Sequence, residues 1–304
     1  MSSELRLAML VGLVISACRP DFGLPVSVLT EPRVLAIEAS PPEARPGDRV
    51  HVVAFAAGPE GPLDARADYA FCTSPRPLVE SNIVNSDCLG PQGAVSPVAS
   101  SVESVDAVLP ADGCLRFGPE TPPQKPGEPP FRPRDPDVTG GYYQPLRVTL
   151  SGLEAVALVR IRCNLPGASA QRSVEYGMRY TDNTNPELSG LELLVDGQVT
   201  EALSLPGNTQ VTLRASWPEG TAEPFVVHDR STDTLSETRE SLRVSWFTTG
   251  GIIPLVTSGT AADSADLSAE TTWTTPASGS GTLWAVLRDN RGGSTVRELS
   301  FSIR

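Results

Sequence analysis

Lysine is almost missing from this chain. Lys125 is the only one, and the other basic residues are arginines scattered among 36 acids. The formal net charge is −12. That balance excludes a nucleic-acid partner, because phosphate binding needs a concentrated positive field. Histidine is equally scarce: His51 and His228 lie far apart in sequence, which leaves little material for histidine-based metal sites or catalysis. Aromatic residues make up only 6%. No apolar run reaches the ~20 residues that a membrane-spanning helix needs. No segment carries a sustained helical period of apolar residues with caps. GxSxG, HExxH and P-loop motifs are absent, as is a GxGxxG leading into a helix.

Glycine (26) and proline (29) are plentiful, as expected of a chain with many turns. Apolar residues at 39% suffice for packed cores. A length of 304 residues suggests about two domains.

The N-terminus has the form of an export signal. Leu7 to Ala17 is an apolar run that matches the central region of a secretory signal in length. It ends in Ile15-Ser16-Ala17-Cys18. Small residues directly before a cysteine resemble the lipobox of bacterial lipoproteins. The resemblance covers residues 1–18. It implies removal of residues 1–17, diacylglycerol on the Cys18 thiol and, usually, an acyl chain such as palmitate on the new amino group. A membrane partner through this anchor follows. Arg19 stands where an Asp would favour the inner membrane in enterobacteria, so the resemblance implies a cell-envelope protein of the outer membrane. Residues 19–32, RPDFGLPVSVLTEP, have three prolines and no period. They read as a tether, reaching at most ~45 Å when fully extended.

Beyond Cys18 there are four cysteines: Cys72, Cys88, Cys114 and Cys163. In an oxidising compartment they can form two disulfides, in three connectivities. Order and spacing favour Cys72–Cys88 and Cys114–Cys163. These loops would stabilise by roughly 3 and 4 kcal/mol before any native strain. A zinc site is the competing use, but no CxxC pair and no nearby histidine support it.

From residue 33 the pattern is strand after strand. Expected strands are 34–40, 49–57, 68–72, 105–109, 146–150, 156–163 and 173–180. In 146–150, Leu146, Val148 and Leu150 share one face and Arg147 and Thr149 the other, which is the half-buried strand signature. Positions 110–136 contain nine prolines, so they read as a long irregular loop. That loop could be a polyproline ligand for a partner or a plain surface insertion. The polar stretch 181–187 ends the first unit. A second series follows at 191–195, 210–217, 242–247, 252–256, 271–274, 283–287 and 298–303, with a tight turn at Asn290-Arg291-Gly292-Gly293.

GTLWAVLRDNRGGSTVRELSFSI (281–303) resembles the last two strands of bacterial immunoglobulin-like (Ig-like) and PKD-like domains. VSWFTTGG (244–251), with Trp246 mid-strand, is similar to their third strand. PRVLAIEASPPEARPGDRVHVVAFAA (32–57) is similar to the first two strands of Ig-like modules in envelope lipoproteins of myxobacteria and their relatives. The expected fold is therefore all-β, with two Ig-like antiparallel β-sandwich domains in tandem at 33–183 and 184–304. No Trp precedes residue 217, so Tyr69 or Phe71 must fill the first core position that Trp246 fills in the second.

Few residues look like a site. His51, between Val50 and Val52, reads as a strand-face residue. His228 and Asp229 are adjacent, and adjacent strand residues face opposite ways, so they are not taken as a dyad. Asp135 and Asp137 lie in the proline-rich loop without an EF-hand ligand series. Thr139-Gly140-Gly141-Tyr142-Tyr143-Gln144-Pro145 is the most site-like stretch. After a Gly-Gly hinge, Tyr142 and Tyr143 could form an aromatic contact for a glycan or protein partner. Alternatively, one packs into the sandwich edge while the other covers the loop. Trp217, Trp246, Trp273 and Trp284 read as core residues. The expectation is a non-catalytic envelope protein with no cofactor and no metal, having a structural, adhesive or partner-binding role. The alternatives are a ligand-binding module of a larger surface or secretion assembly and, less favoured, a hydrolase with an unrecognised site.

Overall fold

The computed structural model describes residues 23–64, 66–74, 84–116, 126–127, 139–165 and 167–304. Cys18, most of the proline-rich segment, Asp135 and Asp137 lie outside them.

The first sandwich uses β1 (Arg33–Ser40), β2 (Glu43–Ala44), β3 (Arg49–Gly58), β4 (Gly61–Pro62), β5 (Ala67–Cys72), β6 (Val95–Val102), β7 (Ser104–Val108), β8 (Gly141–Leu150) and β9 (Leu153–Arg162). One sheet places β1 and β7 on either side of β3. The other runs β2-β9-β8-β5-β6. Pairing is antiparallel except where β2 joins β9 in parallel, Glu43 opposite Arg160. The alternation that marks β3 as a strand also builds the core: Val50, Val52, Ala54 and Ala56 point inward, against Tyr69, Phe71, Leu146 and Val148 of the facing sheet. Both Tyr69 and Phe71 are buried, supplying the aromatic bulk of a core that has no tryptophan.

The second sandwich uses β10 (Gly190–Val195), β11 (Gln198–Thr200), β12 (Gln210–Ser216), β13 (Pro224–Asp229), β14 (Thr234–Arg239), β15 (Leu242–Thr248), β16 (Thr257–Thr260), β17 (Ser268–Thr274), β18 (Gly279–Asp289) and β19 (Ser294–Ile303). Its sheets are β11-β10-β12-β17 and β16-β15-β18-β19, and β13–β14 stands apart as a hairpin. In the first unit β1, β3 and β7 face a sheet centred on β8 and β5, and in the second β10, β12 and β17 face a sheet centred on β15 and β18, the strand order of an Ig-like sandwich. Trp217, Trp246 and Trp273 fill the second core.

The four cysteines form Cys72–Cys88 and Cys114–Cys163, with Cα separations of 5.4 and 5.6 Å. The first ties the end of β5 to a 3₁₀ turn at Ser86–Cys88. The second ties a single helical turn, α1 (Gly113–Arg116), to the residue after β9.

Three expectations are corrected. Residues 173–180 are not a strand. Residues 173–179 lie in a helix, α2 (Ala170–Arg179), with Tyr180 as its C-cap, and its N-cap Ser169 accepts the Arg172 N–H at 3.2 Å. Val174, Tyr176, Met178 and Tyr180 alternate as in a strand, but in the helix they split into two faces. Tyr176 and Tyr180 go inward, and Val174 and Met178 outward. Residues 252–256 contribute one isolated bridge, Ile252 to Thr274, and the strand begins only at Thr257. Finally, the tether is not free along its length. Ser27, Val28 and Leu29 are buried. Leu29 N–H donates to the Thr248 carbonyl at 2.9 Å, and Thr248 N–H to the Ser27 carbonyl at 2.8 Å. Ser27 Oγ donates to the Ile253 carbonyl at 2.8 Å. The chain is thus fastened to the second sandwich before it begins the first.

Leu29 also joins an apolar cluster with Leu35, Ala36 and Ala57 of the first unit and Trp284 and Val286 of the second. Strand β18 buries both faces. Leu283, Ala285 and Leu287 enter the second core while Trp284 and Val286 meet the first sandwich, which accounts for its unbroken apolar run. Truncating Leu29 to Ala should cost about 2–5 kcal/mol, read by urea unfolding. An unchanged midpoint would mean that residues 27–29 are not docked.

Candidate functional site: a buried ionic joint between the sandwiches

The strongest concentration of ionisable groups in the described residues lies where the sandwiches meet. Glu43, Arg160, Glu240, Asp289 and Arg291 are all buried there. Glu43, on the two-residue β2, is fully buried. It accepts Arg160 Nε at 3.0 Å, Arg291 Nη2 at 2.9 Å, the Tyr180 hydroxyl at 2.7 Å and the Asn183 N–H at 2.9 Å. Its two oxygens therefore collect donors from β9, from the end of α2, from the linker and from the second sandwich.

Arg291 enters from the turn between β18 and β19. Besides Glu43 it donates to the Tyr180 hydroxyl at 2.9 Å, the Thr181 carbonyl at 2.8 Å and Glu240 at 3.3 Å. The guanidinium lies 4.9 Å from the Phe225 ring centre and 5.2 Å from that of Tyr180, so aromatic faces supply part of what water would. Asp289 holds the turn open by accepting the N–H groups of Arg291, Gly292 and Gly293 at 2.8, 2.7 and 2.8 Å. Gly293 is required there, since a Cβ would come 2.2 Å from an Asp289 oxygen. Gly141 has the same role for Arg160, whose guanidinium would lie 2.2 Å from an added Cβ.

The linker is locked into this joint. Asp182 pairs with Arg162 at 2.8 Å, Asn183 donates to Asp289 at 3.3 Å, Thr184 Oγ1 donates to Glu223 at 2.6 Å and Asn185 donates to the Ala39 carbonyl at 2.8 Å. Above it, α2 and the β13–β14 hairpin pack through Leu165, Tyr176, Tyr180 and Val226.

Two guanidinium and three carboxyl groups share this space. Burial, reinforced by the Asp289 charge, pushes the Glu240 carboxyl up to about 8, against the pull of Arg291 and the Glu223 N–H. A protonated Glu240 leaves the two cations facing Glu43 and Asp289. Burial also raises Asp289 despite its N–H donors, and lifts the Tyr180 hydroxyl to about 12. Burial alone would lower Arg291, yet Tyr180 and Glu43 hold it above its ordinary value. Perturbed groups of this kind often mark catalytic sites. Here the side chains of Glu43 and Arg160 are at most 1% exposed and that of Arg291 only 4%, so no substrate reaches them. The arrangement joins the two domains.

The sequence-predicted residues lie elsewhere or are spent structurally. Tyr142 is buried in the first core, whereas Tyr143, on the opposite face of β8, sits 5.0 Å under Arg160. The paired aromatic contact surface is therefore corrected: neighbours along a strand cannot share a face. Nor is Gly140-Gly141 a hinge, for it leads into β8 and makes room for Tyr176 and Arg160. His51 is exposed on β3, 2.9 Å from Asp106. His228 is buried and Asp229 exposed. The partner of His228 Nε2 is instead Asp233, at 2.9 Å across the hairpin turn. Sequence reasoning missed Glu43 and Arg291 because both sit in Gly- and Pro-rich segments that read as exposed turns. A cleft of about 320 Å³ between β1, β9 and the β18–β19 turn is lined mainly by apolar side chains, with Arg288 and Asp289 at one end. The Arg288 guanidinium is already bonded to the Leu35 carbonyl at 2.7 Å.

No protein-family model and no curated protein matches the chain. Solved structures that overlay on it include domains 4 and 5 of the S-layer protein SbsC (10% identity, TM-score 0.21, covering 89% of this chain and 98% of that one). The D00-D0 domain of intimin overlays at 8% identity and TM-score 0.26, covering 90% and 98%. The fibronectin(III)-like modules of Clostridium thermocellum CbhA overlay at 10% and 0.25, covering 93% of each. Such scores do not establish a shared fold, and the all-β architecture rests on the strands themselves.

Replacing Arg291 by Met removes the charge but keeps the bulk, and leaves Glu43 buried against fewer donors. The cost should be about 3–5 kcal/mol in urea unfolding, and a loss below ~1 kcal/mol would place the joint among weak surface pairs. The raised Glu240 sets a second expectation. The folded chain binds this proton more tightly than the unfolded chain, so its contribution is full below about 4.5 and is lost as pH rises through about 8. Thermal unfolding of wild type and Glu240→Gln should therefore diverge upward, with the Gln variant gaining on wild type between pH 5 and 9. A constant difference would contradict the shift.

Proposed function

We propose that the chain is a lipid-anchored protein of the cell envelope whose two sandwiches act as one non-catalytic body. Its role is structural, adhesive or partner-presenting. The observation that carries this reading is the joint itself: the buried, pKa-shifted groups that would suggest chemistry are consumed in holding the domains together. The two disulfides fit an oxidising, exported location. The Ile15-Ser16-Ala17-Cys18 sequence supports acylation of Cys18, and Arg19 supports the outer membrane.

A role as a glycan- or protein-binding module of a larger surface or secretion assembly remains compatible with this architecture, on a surface other than a Tyr142–Tyr143 pair. A hydrolase would need a convergent, accessible set of acid, base and nucleophile, and the described residues do not bring one together.

The anchor is tested by growing cells with a clickable fatty acid and comparing wild type with Cys18→Ser. Wild type should be labelled and the variant should lose essentially all label. Equal labelling of the two would sink the anchor.

A further inference from the structure

The second sandwich has two unlike ends. One end holds the ionic joint, at Glu223, Glu240, Asp289 and Arg291. At the opposite end, the terminus of β15, the start of β18 and the β10–β11 hairpin come together. Five large apolar side chains of this sandwich are exposed: Val199, Leu203, Ile252, Leu255 and Leu267. All but Leu267 are at that opposite end.

The docked N-terminal segment adds to it. Ser27 is bonded to the Ile253 carbonyl, so Val26 and Ile252 flank a direct contact. Leu24 and Val26 are 56% and 62% exposed, and Ile252 and Leu255 are 44% and 57% exposed, with Pro254 between them also exposed. Neither contributing segment carries an ionisable side chain: residues 23–30 have none, and neither do residues 244–262. In a chain of net charge −12, this is an apolar surface without acidic side chains of its own, tied down by three hydrogen bonds. Other segments bring charge to this end: Arg33 Nη1 donates to the Val26 carbonyl at 2.6 Å, and Asp196, Glu201 and Arg304 lie nearby. Scattered single apolar residues need no explanation, but a cluster does.

The position of the cluster indicates what covers it. Gly23 is five residues from Cys18, and five residues span at most ~18 Å. An acylated Cys18 therefore holds this end within that distance of the bilayer. A surface with no acidic side chain of its own and the Arg33 cation against Val26 can also approach anionic headgroups more closely than the acidic remainder of the protein.

We propose that the surface formed by Leu24, Val26, Ile252, Pro254 and Leu255 rests on the lipid bilayer, so that this end of the second sandwich lies at the membrane. This rests on the lipid-anchor reading. It differs from the sequence expectation, in which residues 19–32 are a tether between the anchor and the first domain. The docking of residues 27–29 onto Thr248 makes that difference, because it transmits the anchor to the second sandwich first.

The test uses the full chain, purified from membranes and reconstituted in vesicles of phosphatidylethanolamine and phosphatidylglycerol, with or without brominated acyl chains. A tryptophan is introduced at the surface (L255W) or, as a control, on the exposed face of α2 (M178W). Both positions are solvent-exposed, and the four native tryptophans are buried. Side chains at an interfacial contact lie ~5–10 Å into the headgroup–acyl boundary, within reach of bromine quenching. The emission added by L255W should fall at least about twofold further than that added by M178W. Equal quenching of the two overturns the proposal. Mass spectrometry of Cys18 in the same sample separates the two claims. Acylated Cys18 with equal quenching removes the contact surface alone. Unacylated Cys18 with selective L255W quenching removes the anchor reading and leaves the surface standing. Unacylated Cys18 with no quenching removes both.

Discussion

The ion pair between Glu43 and Arg291 is the contact on which the arrangement of the molecule depends. A carboxylate fully removed from water is tolerated only if its oxygens are saturated with donors. Glu43 draws those donors from both sandwiches, from the linker and from the end of α2. Sliding one sandwich against the other by a few ångströms would strand a buried charge. The apolar contact of Trp284 and Val286 with Leu35 and Ala36 supplies attraction without direction. The ionic joint supplies the direction.

Much of the fold was legible from alternation. Val50, Val52, Ala54 and Ala56 in β3, or Leu242, Val244 and Trp246 in β15, specify a buried face at a period of two, and the structure places them there. The disulfide pairs were legible because near neighbours in a chain of hairpins are close in space. The helix α2 was not. Its apolar residues recur every second position, and only the three-dimensional context shows that Tyr176 and Tyr180 face inward one helical turn apart while Val174 and Met178 face water. Trp284 was read as a core residue, with nothing to say of which core. It lies on the other face of β18, which a strand buried on both sides conceals.

The joint was illegible for a different reason. Glu43 lies in Pro-Pro-Glu-Ala-Arg-Pro-Gly-Asp and Arg291 in Asp-Asn-Arg-Gly-Gly, and local chemistry marks both as solvated turns. That chemistry is correct for the backbone: Asp289 and the glycines do build a tight turn. What it cannot report is that the turn is pressed against another domain. The same applies to residues 27–29, whose composition is that of a linker and whose backbone is nonetheless bonded to Thr248. Polar contacts between turns of two domains leave no periodic trace in either partner.

If the joint makes one body of two sandwiches, they must unfold together. Scanning calorimetry of the disulfide-intact chain tests this directly. The account predicts a single endotherm whose calorimetric enthalpy equals its van 't Hoff enthalpy. Two separable endotherms, or a calorimetric enthalpy about twice the van 't Hoff value, would show that the sandwiches are independent and contradict it.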